Sequence, residues 1–182
     1  GGVAHARFEM IEYSPHEQRD LIAGARDLLM AAGAPAPVAY RSGSYSANDD
    51  TLAVLTALGI LYDSSHNGAE HPWPSAIGLP RDQIAPVARN GVIELPVTQI
   101  EDRAGSLRPF QICAMSAGEM RAALDHAAAK DHGAVTIVSH SFELANRAGT
   151  RPAPIHVRRF DALCAMLATR ADDLPTAHFA DW

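Results

Sequence analysis

The stretch Val38-Ala39-Tyr40-Arg41-Ser42-Gly43-Ser44-Tyr45-Ser46-Ala47-Asn48-Asp49-Asp50 decides how this chain is read. Val38 to Arg41 has strand character and runs into a Ser-Gly-Ser turn. The turn runs into a helix start, where Asn48 caps and Asp49 and Asp50 set negative charge at the positive end of the helix dipole. The helix carries Leu52, Leu55 and Leu58 and stops at Gly59, and Ile60-Leu61-Tyr62-Asp63 supplies the next strand. Strand, polar turn, helix and strand in that order form the unit of a parallel α/β fold.

The alternation extends both ways. Upstream, Val3 to Arg7 reads as a short strand. Ser14-Pro15-His16-Glu17 is a capping box with proline at the first helical position. Its helix has one apolar face of Leu21, Ile22, Ala25, Leu28, Leu29 and Ala32, ending at Gly33. Downstream, the proline-rich segment 66–90 has no clear period and reads as a long surface excursion, with His66, His71 and Trp73 as a candidate rim. Val92 to Val97 is a strand in which Pro96 marks an edge or an end. Glu94 inside it needs a partner if buried, and arginine is the expected one.

Ser116-Ala117-Gly118-Glu119 is a second capping box, opening a helix on Met120, Ala123, Leu124 and Ala127. Ala134 to Val138 is a β-rich run ending in Ser139-His140. Residues 155–169 form a last helix on Phe160, Leu163, Cys164 and Leu167, and His178-Phe179 reads as a short strand. This pattern predicts one α/β domain over 1–182. About five or six strands in 182 residues fall short of the usual closed barrel of about 250 residues. The expectation is an incomplete barrel or an open sheet.

Composition narrows the function. A formal net charge of −6 argues against sequence-independent binding to nucleic acid or an anionic membrane, although Arg158-Arg159 and residues 147–151 are locally basic. No apolar run approaches the ~20 residues of a membrane span, and no signal-peptide pattern is visible, which favours the cytoplasm. The two cysteines, Cys113 and Cys164, sit among apolar residues and read as buried free thiols. No Cys-x-x-Cys pair proposes a structural zinc site, and no Gly-x-Ser-x-Gly elbow proposes a serine hydrolase.

What remains is a set of polar clusters at strand ends, where parallel α/β folds bind ligands. His140 follows an apolar strand and suits acid–base work near neutral pH. Arg41 leaves its strand into a turn where Gly43 admits close backbone approach, Ser44 offers a hydroxyl and Tyr45 a hydroxyl or ring wall. Asp63 ends its strand as a cleft-lining candidate, and Ser141 follows His140. His5 and Glu9, four apart, share a face on a helical path and form a partial metal site that needs a third ligand.

In this order the clusters resemble the polysaccharide deacetylase family, the chitooligosaccharide deacetylase homology domain. The likeness is carried by Tyr40 to Thr51 with Leu58-Gly59-Ile60 and Tyr62-Asp63-Ser64-Ser65, by Glu94-Leu95-Pro96-Val97, and by Val138-Ser139-His140-Ser141. It implies a distorted (β/α) barrel whose members remove acetyl or other acyl groups from sugars with a divalent metal, often zinc, acting as a Lewis acid. It implies His140 as the acid that protonates the leaving amine, Arg41 as the residue that positions a catalytic aspartate, Tyr45 near the acyl oxygen, and His5 as a metal ligand with Glu9 in place of a second histidine. The partner would be an acylated carbohydrate. The family's Asp-Asp pair belongs upstream of His5 and is not among these residues. The alternative expectation is a metal-free carbohydrate-binding relative.

Overall fold

A computed structural model describes residues 7–181. The expected strand from Val3 and the ligand His5 lie outside the described residues. The chain divides into two compact units, 1–96 and 97–182.

The first unit holds an open four-stranded sheet. Strands β1 (Ala39–Tyr40), β3 (Tyr62–Asp63), β5 (Val87–Arg89) and β6 (Val92–Glu94) run in the order β1-β3-β6-β5. β1, β3 and β6 are parallel, and β5 returns antiparallel. A mixed α/β architecture is therefore present, and among the described residues its strands do not close into a barrel. The register sets Tyr40 beside Asp63 and Asp63 beside Glu94. Residues in one register row point to the same sheet face, so one row carries Tyr40, Asp63 and Glu94.

Local chemistry explains the helices. Ser14 and Glu17 form the capping box of α1 (Pro15–Ala31), and Asn48 with Thr51 forms that of α2 (Asp49–Ala57). Asp49 does more than favour the dipole: its carboxylate takes two hydrogen bonds from Arg89 at 2.7 and 2.6 Å, tying α2 to β5. The core between α1, α2 and the sheet is Ile22, Leu52, Leu55, Ile60, Ile77 and Val92.

The apolar face expected for α1 is mostly not covered. Only Gln18 and Ile22 are buried in that helix, and Leu28 is 74% exposed. The helix meets α2 along a narrow edge, where the Thr51 hydroxyl donates to Gln18 Oε1 at 2.7 Å.

Nor is the segment 66–90 simply a surface excursion. His66, Asn67, Ser75 and Ile77 are fully buried. A short strand β4 (Ser75–Ala76) pairs in parallel with β2 (Ala47–Asn48), stitching the loop after β3 to the loop after β1. The end of the segment is β5 itself, joined to β6 by Asn90-Gly91 with φ of 48° and 83°. Two consecutive left-handed residues make the tight hairpin turn that Asn-Gly favours. A side chain at position 91 would meet Thr56 at 2.8 Å, so glycine is required there.

In the second unit, β7 (Gln99–Arg103) and β8 (Ser106–Pro109) form a hairpin absent from the sequence reading. Helix α3 (Ala117–Ala129) starts at the expected Ser116–Glu119 capping box, and α4 (Pro154–Ala168) packs with it around Phe110, Met115, Met120, Leu124 and Leu163. Ser116→Ala is expected to cost about 1 kcal/mol of that unit's stability, the usual worth of such a cap, measurable by urea denaturation.

Three expectations are corrected here. The run from Ala134 to Val138 forms an isolated parallel bridge from Val138 to Gln111 and a backbone bond from the Thr98 N–H to the Thr136 carbonyl at 3.1 Å, and not a strand of a ladder. His178-Phe179 is no strand, since Phe179–Asp181 is a 3-10 turn. Neither thiol is fully buried: Cys113 is half-buried and Cys164 is exposed on the outer face of α4. No helix among the described residues is long and apolar enough to cross a membrane.

Candidate active site

The sequence candidates fall in both units, and each cluster is built within its own.

In the first unit, three parallel strands end together and their following residues interlock. Arg41, just after β1, donates from Nε to the Ser64 carbonyl at 3.0 Å and from Nη2 to Ser64 Oγ at 2.9 Å. Ser64 Oγ donates in turn to the Leu95 carbonyl at 2.8 Å. Ser65 Oγ accepts from the Ser42 backbone at 2.9 Å and donates to Asp63 Oδ1 at 2.8 Å. Arg41 therefore spans β1 and β3, with no ion pair among the described residues.

Behind this lattice lies the row Tyr40, Asp63 and Glu94. Asp63 and Glu94 are both fully buried. The partner expected for Glu94 was arginine; the register supplies a second carboxyl instead. Glu94 Oε1 accepts from the His66 backbone at 2.9 Å. Glu94 Oε2 is buried with no N–H or O–H donor aimed at it. A proton on Glu94, shared with Asp63, would supply that atom with a hydrogen bond. Burial, then the neighbouring Asp63 charge, pushes the Glu94 carboxyl far above the usual carboxylate range. Burial also raises Asp63, against hydrogen bonds from Glu94 and Ser65 that favour its charge. The two carboxyls hold one proton as a unit. Tyr40 is raised by burial and by Asp63, partly offset by its hydrogen bond with Ser42.

Ser44 and Tyr45 lie in the 3-10 turn Gly43–Tyr45, after β1. Both adopt left-handed backbone, with φ of 53° and 59°. Such conformations cost on the order of 1 kcal/mol each outside glycine and concentrate at functional sites. Ser44→Gly is expected to raise the stability of this unit by about 1 kcal/mol; an unchanged urea midpoint would remove strain as the explanation. Asp63 is enclosed by the serine lattice. Ser44 is exposed on the turn.

In the second unit, His140 precedes the 3-10 turn Ser141–Leu144, of which Ser141 is the exposed first residue. His140 Nδ1 lies 3.0 Å from Glu143 Oε1. A carboxylate only accepts, so Nδ1 carries hydrogen and Nε2 is the open nitrogen. The imidazole side chain is 45% exposed and the Glu143 side chain only 12%. Glu143 Oε1 also accepts from Gln111 Nε2 at 2.7 Å and from the Cys113 thiol at 3.2 Å. Burial pushes the Glu143 carboxyl up, but the hydrogen bonds from His140, Cys113 and Gln111 outweigh it and hold it below the usual range.

The surrounding elements fix this pair. His156, in the first turn of α4, donates from Nδ1 to the Glu143 carbonyl at 2.8 Å, and Arg159 donates to the Cys113 carbonyl at 2.6 Å. Burial and the Glu143 carboxylate push the Cys113 thiol up, so it acts as a donor and not as a thiolate nucleophile. Glu143 is a candidate site residue that the sequence reading missed. The signal was a carboxylate three residues after a strand-end histidine.

Of the expected metal ligands, His5 is outside the described residues. Glu9 stands before the 3-10 turn Met10–Glu12, and its backbone N–H donates to Glu12 at 2.9 Å. Arg7 is drawn away toward Glu17 at 2.7 Å and lies 4.2 Å from the centre of the Tyr13 ring. Among the described residues no three His, Cys, Asp or Glu side chains are grouped to hold a metal ion.

The chain stands without matches. Neither protein-family models, nor curated proteins, nor solved structures gave a significant similarity.

Proposed function

We propose that this chain is a hydrolase that removes an acetyl or other acyl group from a sugar, on an incomplete deacetylase-type α/β scaffold. The observation that supports it most is the Glu143–His140 pair: an imidazole held by a sheltered carboxylate at one nitrogen and open at the other. That arrangement is what a general acid or base needs. Nε2 of His140 takes the proton that water sheds as it adds to the acyl carbonyl, the C–N or C–O bond breaks, and the same nitrogen gives that proton to the departing nitrogen or oxygen. Glu143 orients the ring and opposes the charge of the imidazolium before it gives up that proton.

In the other unit, Arg41 holds the strand ends that carry the turn with Ser44 and Tyr45. The strained turn and the sequence resemblance together make Tyr45 and Ser44 candidate ligand contacts of that unit by itself. The described residues do not group the metal ligands that the resemblance implies.

The test is release of acetate from N-acetylglucosamine oligomers and from acetylated xylo-oligosaccharides, with and without chelation. Release supports the reading, and loss of release on chelation with recovery on adding zinc adds a metal to it. Binding of the oligomers without release supports the metal-free carbohydrate-binding alternative. Neither binding nor release overturns both.

A further inference from the structure

Phe142 is 72% exposed, among the most exposed large apolar side chains in the chain. Leaving a phenylalanine in water forgoes the favourable burial of its apolar surface. Its backbone is well anchored. The turn closes through the Glu143 N–H to the His140 carbonyl at 3.0 Å and the Ala145 N–H to the Phe142 carbonyl at 3.3 Å. His156 fixes the next carbonyl from α4.

The ring is also placed. It stacks on the His140 imidazole with centroids 5.0 Å apart and planes inclined by 25°. Stacked carbons touch at ~3.5 Å, so a 5.0 Å separation means the rings are offset. Part of the Phe142 face beside the imidazole is left open. An aromatic face carries negative charge density, and a sugar ring offers to it a face of C–H groups. An acyl tail alone is too small to use such a platform, whereas a sugar ring matches it in width.

We infer that Phe142 is the platform on which the C–H face of the substrate's sugar ring stacks, setting the acyl linkage beside Nε2 of His140. This rests on the reading of His140 as the proton donor, and the test separates the two. Binding of N-acetylglucosamine trimer and of acetylated xylo-oligosaccharide is measured by calorimetry for the parent protein, Phe142→Ala and Phe142→Trp, beside steady-state kinetics.

The expected result is about a tenfold weaker Kd and higher KM for Phe142→Ala, with kcat changed less than about twofold, and recovery in Phe142→Trp. Equal affinity in parent and Phe142→Ala overturns the platform, as does failure of the parent to bind either probe. Binding lost in Phe142→Ala by a parent that releases no acetate upholds the platform and overturns the hydrolase.

Discussion

His140→Ala is expected to lower kcat for acyl-sugar hydrolysis by about 100-fold or more while leaving the fold intact, on the usual scale for acid–base residues. The side chain is nearly half exposed and its one strong partner is Glu143, so its removal leaves no large cavity. Glu143→Gln provides the sharper control. The amide keeps the size but removes the negative charge facing the imidazole, and it can present its N–H₂ where an acceptor is needed. A loss of about tenfold in kcat with KM unchanged is expected, because Glu143 acts through His140 and not on substrate. Unchanged turnover in His140→Ala would end the acid assignment.

Glu94→Gln is expected to make the first unit more stable at alkaline pH, by about 2 kcal/mol or more at pH 9. The sign follows from the raised carboxyl. Folded Glu94 keeps its proton up to about pH 10, starting from an ordinary value of 4.5. Between those limits the folded state binds a proton that the unfolded chain has released. Stability is therefore full below about 4.5 and falls as pH rises toward 10, by up to about 1.4 kcal/mol per pH unit for one proton. Glutamine keeps an acceptor for the His66 N–H and a donor for Asp63 without this dependence. The check is the urea midpoint at pH 6 and pH 9, read by Trp73 fluorescence in a Trp182→Phe background. An identical pH slope in parent and Glu94→Gln would show that the pair does not hold a proton in the folded state.

The features legible in the sequence were local ones. The capping boxes at Ser14 and Ser116 and the Asn48 cap depend on side chains within three residues, and each starts its helix where expected. The stop at Gly59 is equally local, with its φ of 75°. Register is not local. That Glu94 would stand beside Asp63 depends on which strands pair and where, and no spacing in the chain encodes it. The same holds for Leu28, whose period promised burial that no neighbouring element provides.

The β5–β6 hairpin was readable, because Asn90-Gly91 is a strong turn signal, but the prolines before it drew the segment into a loop reading. At the candidate site, the strand-end position of His140 was visible in its apolar lead-in. The carboxylate that orients it was equally close in sequence. What hid Glu143 was the 3-10 turn, which brings residues three apart onto one side.

The unequal setting of the two thiols gives the chain a practical handle. Cys113 is half-buried, protonated and engaged with Glu143, whereas Cys164 stands exposed on α4. A maleimide dye added in limiting amount will therefore mark Cys164 first, giving a single reporter fixed to a helix whose first turn anchors the Glu143 carbonyl. Changes in its emission on adding sugar would report on that turn in the natural sequence, with no cysteine engineered.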